Sequence, residues 1–396
     1  MTPSRHAPAR HPAAPTRRAV TAGLLSATAL PTAGLAAFAP ELEARVAQAA
    51  RAFMERTGAP GLAIGLAGPA GRRLFFFGMA DPARAAPVGD GTLFELGSLS
   101  KLVTVALAAL AVEEGRLRWE DAPGRHVPEI SGPGTDRLTL LHLATHCTGG
   151  MPLQFPAEVR GWADAAAWYR AWVPPAPPGT LRAYANPSIG LLGVVAARAL
   201  GGDFAALARD RVLRPLGLEA SWHAVPAARQ GAYAQGHTRD GRPIRLAPGP
   251  LDLEAYGLRA TAPDLLRLVE AQMGLLPPPA PLGAALAALP LGRYRSGALT
   301  QGAIWEWYPP PATAEAIAAG NADGMVLRPN AAAALSPPLP PPDGAFVNKT
   351  GATNGFGGYA AYAAGRGLGL VILANRNHPT AERLALALEL RAIIGA

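Results

Sequence analysis

In the stretch FELGSLSKLVT, Ser98 and Lys101 stand three residues apart where an apolar run begins. At helical spacing, residues i and i+3 share a face with Cβ atoms about 5–6 Å apart. The unpaired N–H groups and dipole at a helix start also favour developing negative charge. A serine hydroxyl placed there can attack a carbonyl if a neighbour takes its proton. Two further stretches carry similar chemistry in chain order: Tyr184 and Asn186 in YANPSIGLLG, and Lys349, Thr350 and Gly351 in NKTGATNGFGG. The ordered set is far more specific than any one pair within it.

Lysine usage sharpens the reading. Of 36 basic residues only Lys101 and Lys349 are lysines, and the rest are arginines. Arginine cannot lose its proton at usable pH, whereas a lysine can be neutralised by burial or a neighbouring cation. Lysine at just these two places points to proton transfer or a compact point charge.

Several elements must bring these residues together. Glu41–Gly58 has helical spacing, and GLAIGLAG with RRLFFFGMA reads as a hairpin of two strands. The middle of the chain is helical in pattern, with Ser98–Gly115, Leu138–His146, Asp164–Trp172, Ser188–Leu200 and Phe204–Val212 separated by Gly/Pro-rich turns. Strands return at Phe346–Thr350, Gly358–Ala363 and Leu368–Ala374, and a helix from about Ala381 to Ile394 follows, with Thr380 placed to cap it. The pattern predicts an α/β (α+β) fold. An antiparallel sheet flanked by helices is built from both chain ends, about 40–95 and 240–396, with an all-helical part, about 96–239, inserted.

Composition bounds the rest. The 396 residues are 49% hydrophobic and 16% charged, with no long polar tract, as expected of a globular body. Residues 1–39 carry Arg5, Arg10, Arg17 and Arg18, no acid, a mild apolar run and AAFA, the pattern of an export signal. TRRAVT resembles a twin-arginine address, so a periplasmic location is expected, with no stable membrane anchor. Without those arginines the formal net charge falls from +8 to +4. The remaining arginines are scattered, which argues against nucleic-acid binding. A single cysteine, Cys147, excludes an internal disulfide and reads as a packed thiol. His142 and His146 in HLATH have zinc-grip spacing, but Leu143 stands where a zinc protease needs glutamate, so both read as structural and no metal or cofactor is expected. Nothing calls for more than a monomer.

The chain resembles the class C serine β-lactamases of the penicillin-recognising serine hydrolases. The resemblance runs from about Glu41 onward and rests on LFELGSLSK, LTLLHLATHCTGGMPLQFP, YANPSIGLLG, EAYGLRAT, KTGATNGFGGY and LANRNHP, in that order. It implies a β-lactamase/D,D-peptidase-like fold, a small β-lactam as substrate, and cephalosporins ahead of penicillins. It implies that Ser98 is the nucleophile, that Lys101 and Tyr184 handle its proton, and that Lys349 joins them in the catalytic set as a cation which, with Lys101, can stabilise the Tyr184 phenolate; which of Lys101 and Tyr184 is the base stays open. The backbone N–H groups of Ser98 and Ala352 would form the oxyanion hole. Gln154 and Asn186 would hold the substrate's side-chain amide, Tyr256 would line the pocket, and Lys349, Thr350, Gly351, Asn377 and Arg383 would face its carboxylate end.

Three places depart from the family pattern: Thr380 is shorter than the carboxylate-binding side chain often found there, Asn354 replaces a glycine, and Met325–Pro338 matches poorly. The alternatives on the same scaffold are a D,D-peptidase, an esterase, or a lactam or peptidoglycan binder that does not turn over.

Overall fold

The computed structural model describes residues 1–2, 39–69 and 71–395; the export-signal pattern of residues 1–39 lies almost wholly outside them. Helix α1 (Ala39–Thr57) leads into strands β1 (Gly61–Gly68), β2 (Gly71–Asp81) and β3 (Ala86–Pro87). The expected hairpin is present, with Gly68 opposite Gly71 and Leu62 opposite Phe77. The sheet resumes with β4 (Gly292–Ser296), β5 (Leu299–Gln301), β6 (Glu306–Tyr308), β7 (Ala333–Leu339), β8 (Phe346–Ala352), β9 (Gly357–Ala363) and β10 (Leu368–Ala374). The ten strands run β7-β4-β5-β6-β8-β9-β10-β1-β2-β3, every neighbour antiparallel. Thus strands from the early and the late parts of the described chain join in one sheet, where β1 pairs with β10.

Period-two alternation explains why these inner strands look apolar throughout. In β1, Leu62, Ile64 and Leu66 join a core with α1 and α5 (Thr380–Ile394), while Ala63 and Ala67 join a second core on the opposite face. Strand β10 divides likewise, Leu370 and Ile372 against Val371 and Leu373. With both faces covered by helices, no position along the strand is left for a polar residue.

The second core is continuous with the helical part. It includes α4 (Ala262–Gln272) against the sheet, then α2 (Lys101–Glu113) and α3 (Asn186–Leu200). In α2 every residue from Leu102 to Ala111 is buried, so this helix has no solvent face and its sequence is accordingly apolar all round. Among the described residues no single helix is long and apolar enough to cross a membrane.

Several helix boundaries differ from expectation by a few residues, Leu140–Ala144 and Asn186–Leu200 among them, and two of the differences concern residues singled out in the sequence. Ser98 does not open an α-helix; it lies in a 3₁₀ turn, Gly97–Ser100, and the α-helix starts at Lys101. Thr380 is the first residue of α5, not its cap; the cap position is Pro379, with no side-chain hydrogen bond. Proline fixes its own φ near the value a helix entrance tolerates, which sets the boundary without a hydroxyl. The poorly matching Met325–Pro338 stretch forms the end of a short helix (Asp323–Leu327), a two-residue strand (Asn330–Ala331) and most of edge strand β7.

Candidate active site

The 3₁₀ turn brings Ser98 and Lys101 together. With three residues per turn, i and i+3 eclipse rather than drift apart as on an α-helix, and Lys101 Nζ donates to Ser98 Oγ at 2.9 Å. Gly97 makes the turn possible. Its φ of +52° suits glycine, and a Cβ there would overlap the Ala352 backbone. A Cβ on Gly351 would in turn overlap the Leu96 carbonyl. The Ser98 turn and the end of β8, remote from each other in the chain, are therefore in backbone contact, and this contact places Ser98 beside Ala352.

Lys101 is fully buried and holds three partners: Ser98, Asn186 Oδ1 at 2.6 Å and the Ala255 carbonyl at 2.8 Å. Asn186 is available because it is the first residue of α3. Ala255 ends a short helix, Asp252–Ala255, that is tied to α2 by a Thr104 hydroxyl donating to the Glu254 carbonyl at 2.6 Å. Burial pulls the Lys101 pKa down to about 8, Tyr184 opposing the shift and Lys349 adding to it.

Tyr184 sits in extended chain two residues ahead of Asn186, between these cations. Lys349 Nζ donates to its hydroxyl at 3.2 Å and to the Thr350 carbonyl at 3.0 Å. The Lys101 and Lys349 ammonium groups lie 5.3 and 4.9 Å from the Tyr184 ring centre. Burial by itself would raise the phenol's pKa. The two lysine charges, with hydrogen bonds to Ser98 and Lys349, overcome it and bring the phenol down to about 8. Two groups of opposite charge type thus titrate in one range, and protons there belong to the pair.

Two buried side chains support this tyrosine: His146, structural as its sequence context suggests, and Arg182, which the sequence did not single out. His146, at φ +59°, accepts a hydrogen bond from Ala185 N on Nδ1 and one from Ala183 N on its carbonyl, clasping the chain on either side of Tyr184. Its ring lies 4.3 Å from the Tyr184 ring. Burial and three nearby cations keep it neutral, its pKa well below 6.5. Arg182, also buried, donates to Gln301 Oε1, the Met325 carbonyl and Glu306 Oε1, with its guanidinium 5.9 Å from the Tyr184 ring centre. The HLATH spacing drew attention to His146; one arginine among so many gave no signal for Arg182. His142 does something else, forming with Thr139 a reciprocal cap of the short helix Leu140–Ala144. Cys147 is a buried free thiol with its pKa pushed up to about 12 by burial.

The outer positions are less uniform. Gln154 is exposed on a loop anchored by Asn186 N donating to the Leu153 carbonyl at 2.9 Å. Tyr256 is half-buried just beyond Ala255, and Thr350 is half-buried beside Lys349. Asn377 is committed at both ends of its amide, donating to the Thr353 carbonyl at 2.6 Å and accepting from Arg239 Nε at 2.7 Å. Arg383 departs from expectation. It is 2% exposed and its guanidinium donates to the backbone carbonyls of Gly351 and His378. A cation so enclosed is not offered to a carboxylate in a cleft; it braces β8 instead.

This arrangement can deliver a serine oxygen to a carbonyl and accept its proton on either of two groups, with the Ala352 backbone packed beside the Ser98 turn. Comparisons with known proteins give the family. The family profile described as Beta-lactamase matches residues 46–393. A β-lactamase of Pseudomonas fluorescens is 40% identical over 335 residues, covering 85% of this chain and 94% of that protein. Among solved structures, a β-lactamase/D-alanine carboxypeptidase from Pseudomonas syringae is 41% identical at a TM-score of 0.87, covering 89% of this chain and 99% of that one. A class C β-lactamase from Rhodobacter sphaeroides is 38% identical at a TM-score of 0.85, with the same coverage. The chain therefore belongs to the β-lactamase family of serine hydrolases, in its class C group.

Proposed function

We propose that the protein is an exported β-lactamase that opens the lactam amide bond, cephalosporins in preference, through an acyl-enzyme on Ser98. The observation that carries this reading is the contact of Ser98 Oγ with a fully buried Lys101 whose neighbour, Tyr184, shares its titration range. In acylation the Oγ–carbonyl bond forms as the serine proton passes to Lys101 or Tyr184. The lactam C–N bond then breaks, and that proton goes to the departing nitrogen. In deacylation Tyr184, kept partly ionised by two ammonium groups, takes a proton from water as the water oxygen bonds to the ester carbonyl; the acyl C–Oγ bond then breaks, that proton passes to Ser98 Oγ, and the ring-opened acid leaves. The N–H groups of Ser98 and Ala352 stabilise both tetrahedral oxyanions, a contribution of about 2.7–4 kcal/mol per donor in a comparable hydrolase.

In this reading Asn186 and Gln154 take the substrate's side-chain amide, and Tyr256 lines the pocket. Thr350, Gly351 and Asn377 face the carboxylate, with the Arg239 guanidinium on Asn377 supplying a cation where Thr380 supplies none. Export rests on the arginine and apolar pattern of residues 1–39, and fractionation of expressing cells into periplasm and cytoplasm tests it.

A second reading is D-alanine carboxypeptidase activity, because the Pseudomonas syringae structure carries both names. Both reactions use the same acylation step and differ in how quickly the lactam acyl-enzyme hydrolyses. The mature protein mixed with a chromogenic cephalosporin and followed to completion separates them. Many turnovers support the lactamase, and a single stoichiometric burst supports the peptidase or a lactam binder that does not turn over. No acylation overturns both, as does activity surviving in Ser98→Ala.

A further inference from the structure

The two backbone donors assigned to the oxyanion come from different parts of the chain, the Ser98 turn and the end of β8. Their separation must be held to a few tenths of an ångström for either to be useful. Glycine contact brings the segments close; it does not by itself fix their offset along the strand. A hydrogen bond does. Glu95, three residues before Ser98 and 1% exposed, accepts from the Thr353 hydroxyl at 2.6 Å, and Thr353 follows Ala352 directly.

Glu95 is itself held from the far side. Its other oxygen accepts from the Tyr233 hydroxyl at 2.5 Å and from Leu246 N at 2.7 Å, while Arg259 Nε lies 3.4 Å from the same tyrosine oxygen. Backbone pairing completes the frame: Phe94 and Glu95 pair with Ala260 and Arg259, and Leu96 N donates to the Leu258 carbonyl at 2.9 Å. At the other end, Thr353 Oγ also accepts from Gly355 N at 3.3 Å. Thr353 N donates to the Phe356 carbonyl at 3.1 Å, which closes the turn after β8. A carboxyl group held by donors on both oxygens has its position fixed. Nothing in the reaction consumes it, so its role is geometric.

We propose that Glu95 is a positioning residue of the oxyanion hole, its buried carboxylate fixing through Thr353 the spacing between the Ser98 and Ala352 N–H groups. This inference rests on the lactamase reading above and deepens it.

The test uses Thr353→Val, which removes only the hydroxyl, Thr353→Ser, which restores it, and Glu95→Gln, which turns one acceptor into a donor. Each is measured for kcat, KM, and affinity for phenylboronic acid, which forms a tetrahedral adduct with a serine and so reports on the oxyanion site. Removing a whole donor in a comparable hydrolase costs about 10²–10³-fold in kcat, and a displaced donor should cost about tenfold. Thr353→Val and Glu95→Gln are expected to lose kcat and boronate affinity in parallel, with KM changed less than about twofold, and Thr353→Ser to recover both. If Thr353→Val lowers the melting temperature yet keeps wild-type kcat and boronate affinity, Glu95 is a structural clamp and the inference is overturned. If Glu95→Gln does not fold, the two threonine variants carry the test. Failure of the lactamase reading looks different, since the wild-type protein itself would then show no turnover of the cephalosporin.

Discussion

Lys349 Nζ donates to the Tyr184 hydroxyl at 3.2 Å, and the bond spans 165 residues of chain to join a sheet strand to the entrance of a helix. Because Lys101 approaches the same ring, the phenol answers to two cations.

Removing one of them has a signed consequence. In Lys349→Met, Tyr184 loses a charge and a hydrogen bond that favour its phenolate, so its pKa rises from about 8 back toward its ordinary value near 10. At neutral pH the ionised fraction falls about tenfold each time the pKa climbs by one. The acid limb of the kcat/KM–pH profile should move to higher pH, and Lys349→Arg, which keeps the charge, should move it less. A profile unchanged in Lys349→Met would show that the phenol does not ionise in the reaction.

Lys101→Arg separates the two candidate bases. A guanidinium keeps the positive charge beside Tyr184 and cannot give up its proton. If Lys101 is the base, acylation should fall by about 10²–10⁴-fold, the usual range for losing a general base, with Tyr184→Phe affecting acylation less. The reverse order would assign Tyr184. Pre-steady-state acylation rates measure it, because steady-state kcat also contains deacylation.

Gly97→Ala should damage stability and rate together. The substituted residue would hold a positive φ and press its methyl into the Ala352 backbone, so the turn must move away from β8. Strain of about 1–3 kcal/mol is expected, read as a lowered melting temperature, with a further fall in kcat beyond any loss of folded protein.

The Glu254 backbone helps hold the segment that carries the Ala255 carbonyl, while its buried side chain offers a test of linkage. Burial chiefly, aided by Asp252 and Asp203, raises its pKa from 4.5 to about 7. A carboxyl with a raised folded pKa binds its proton more tightly folded than unfolded, so its contribution to stability falls as pH rises from about 4.5 to 7. Above pH 7 the charged form is held at a cost of up to about 3 kcal/mol. Glu254→Gln should therefore raise the melting temperature at pH 8 and leave it nearly unchanged at pH 4.5. His223, lowered chiefly by burial to about 4, has the opposite sign. Its unfolded form takes up a proton below about pH 6.5, so the fold loses stability from there toward pH 4.

How much of this was legible in the chain depends on how local each decision is. The order Ser98–Lys101, Tyr184–Asn186, Lys349–Gly351, the scarcity of lysine and the hairpin with strands at both ends are written in residue type and short-range spacing. These determine which side chains can do acyl transfer and that the ends build a sheet around a helical middle. Arg383 shows the limit. Its place in a helix could be read, but only packing decided that the helix turns this arginine under β8, where backbone carbonyls take its donors. The clasp of His146 around Tyr184, the Ala255 carbonyl on Lys101, and the bond from Thr353 to Glu95 likewise join residues 39, 154 and 258 positions apart. Such contacts have no local signature, because a carbonyl or a buried imidazole looks the same in sequence whatever it later touches. Sequence sets the chemical groups, and tertiary packing sets their burial and neighbours; it is the approach of two ammonium groups inside a buried site that turns an ordinary tyrosine into one poised near pH 8.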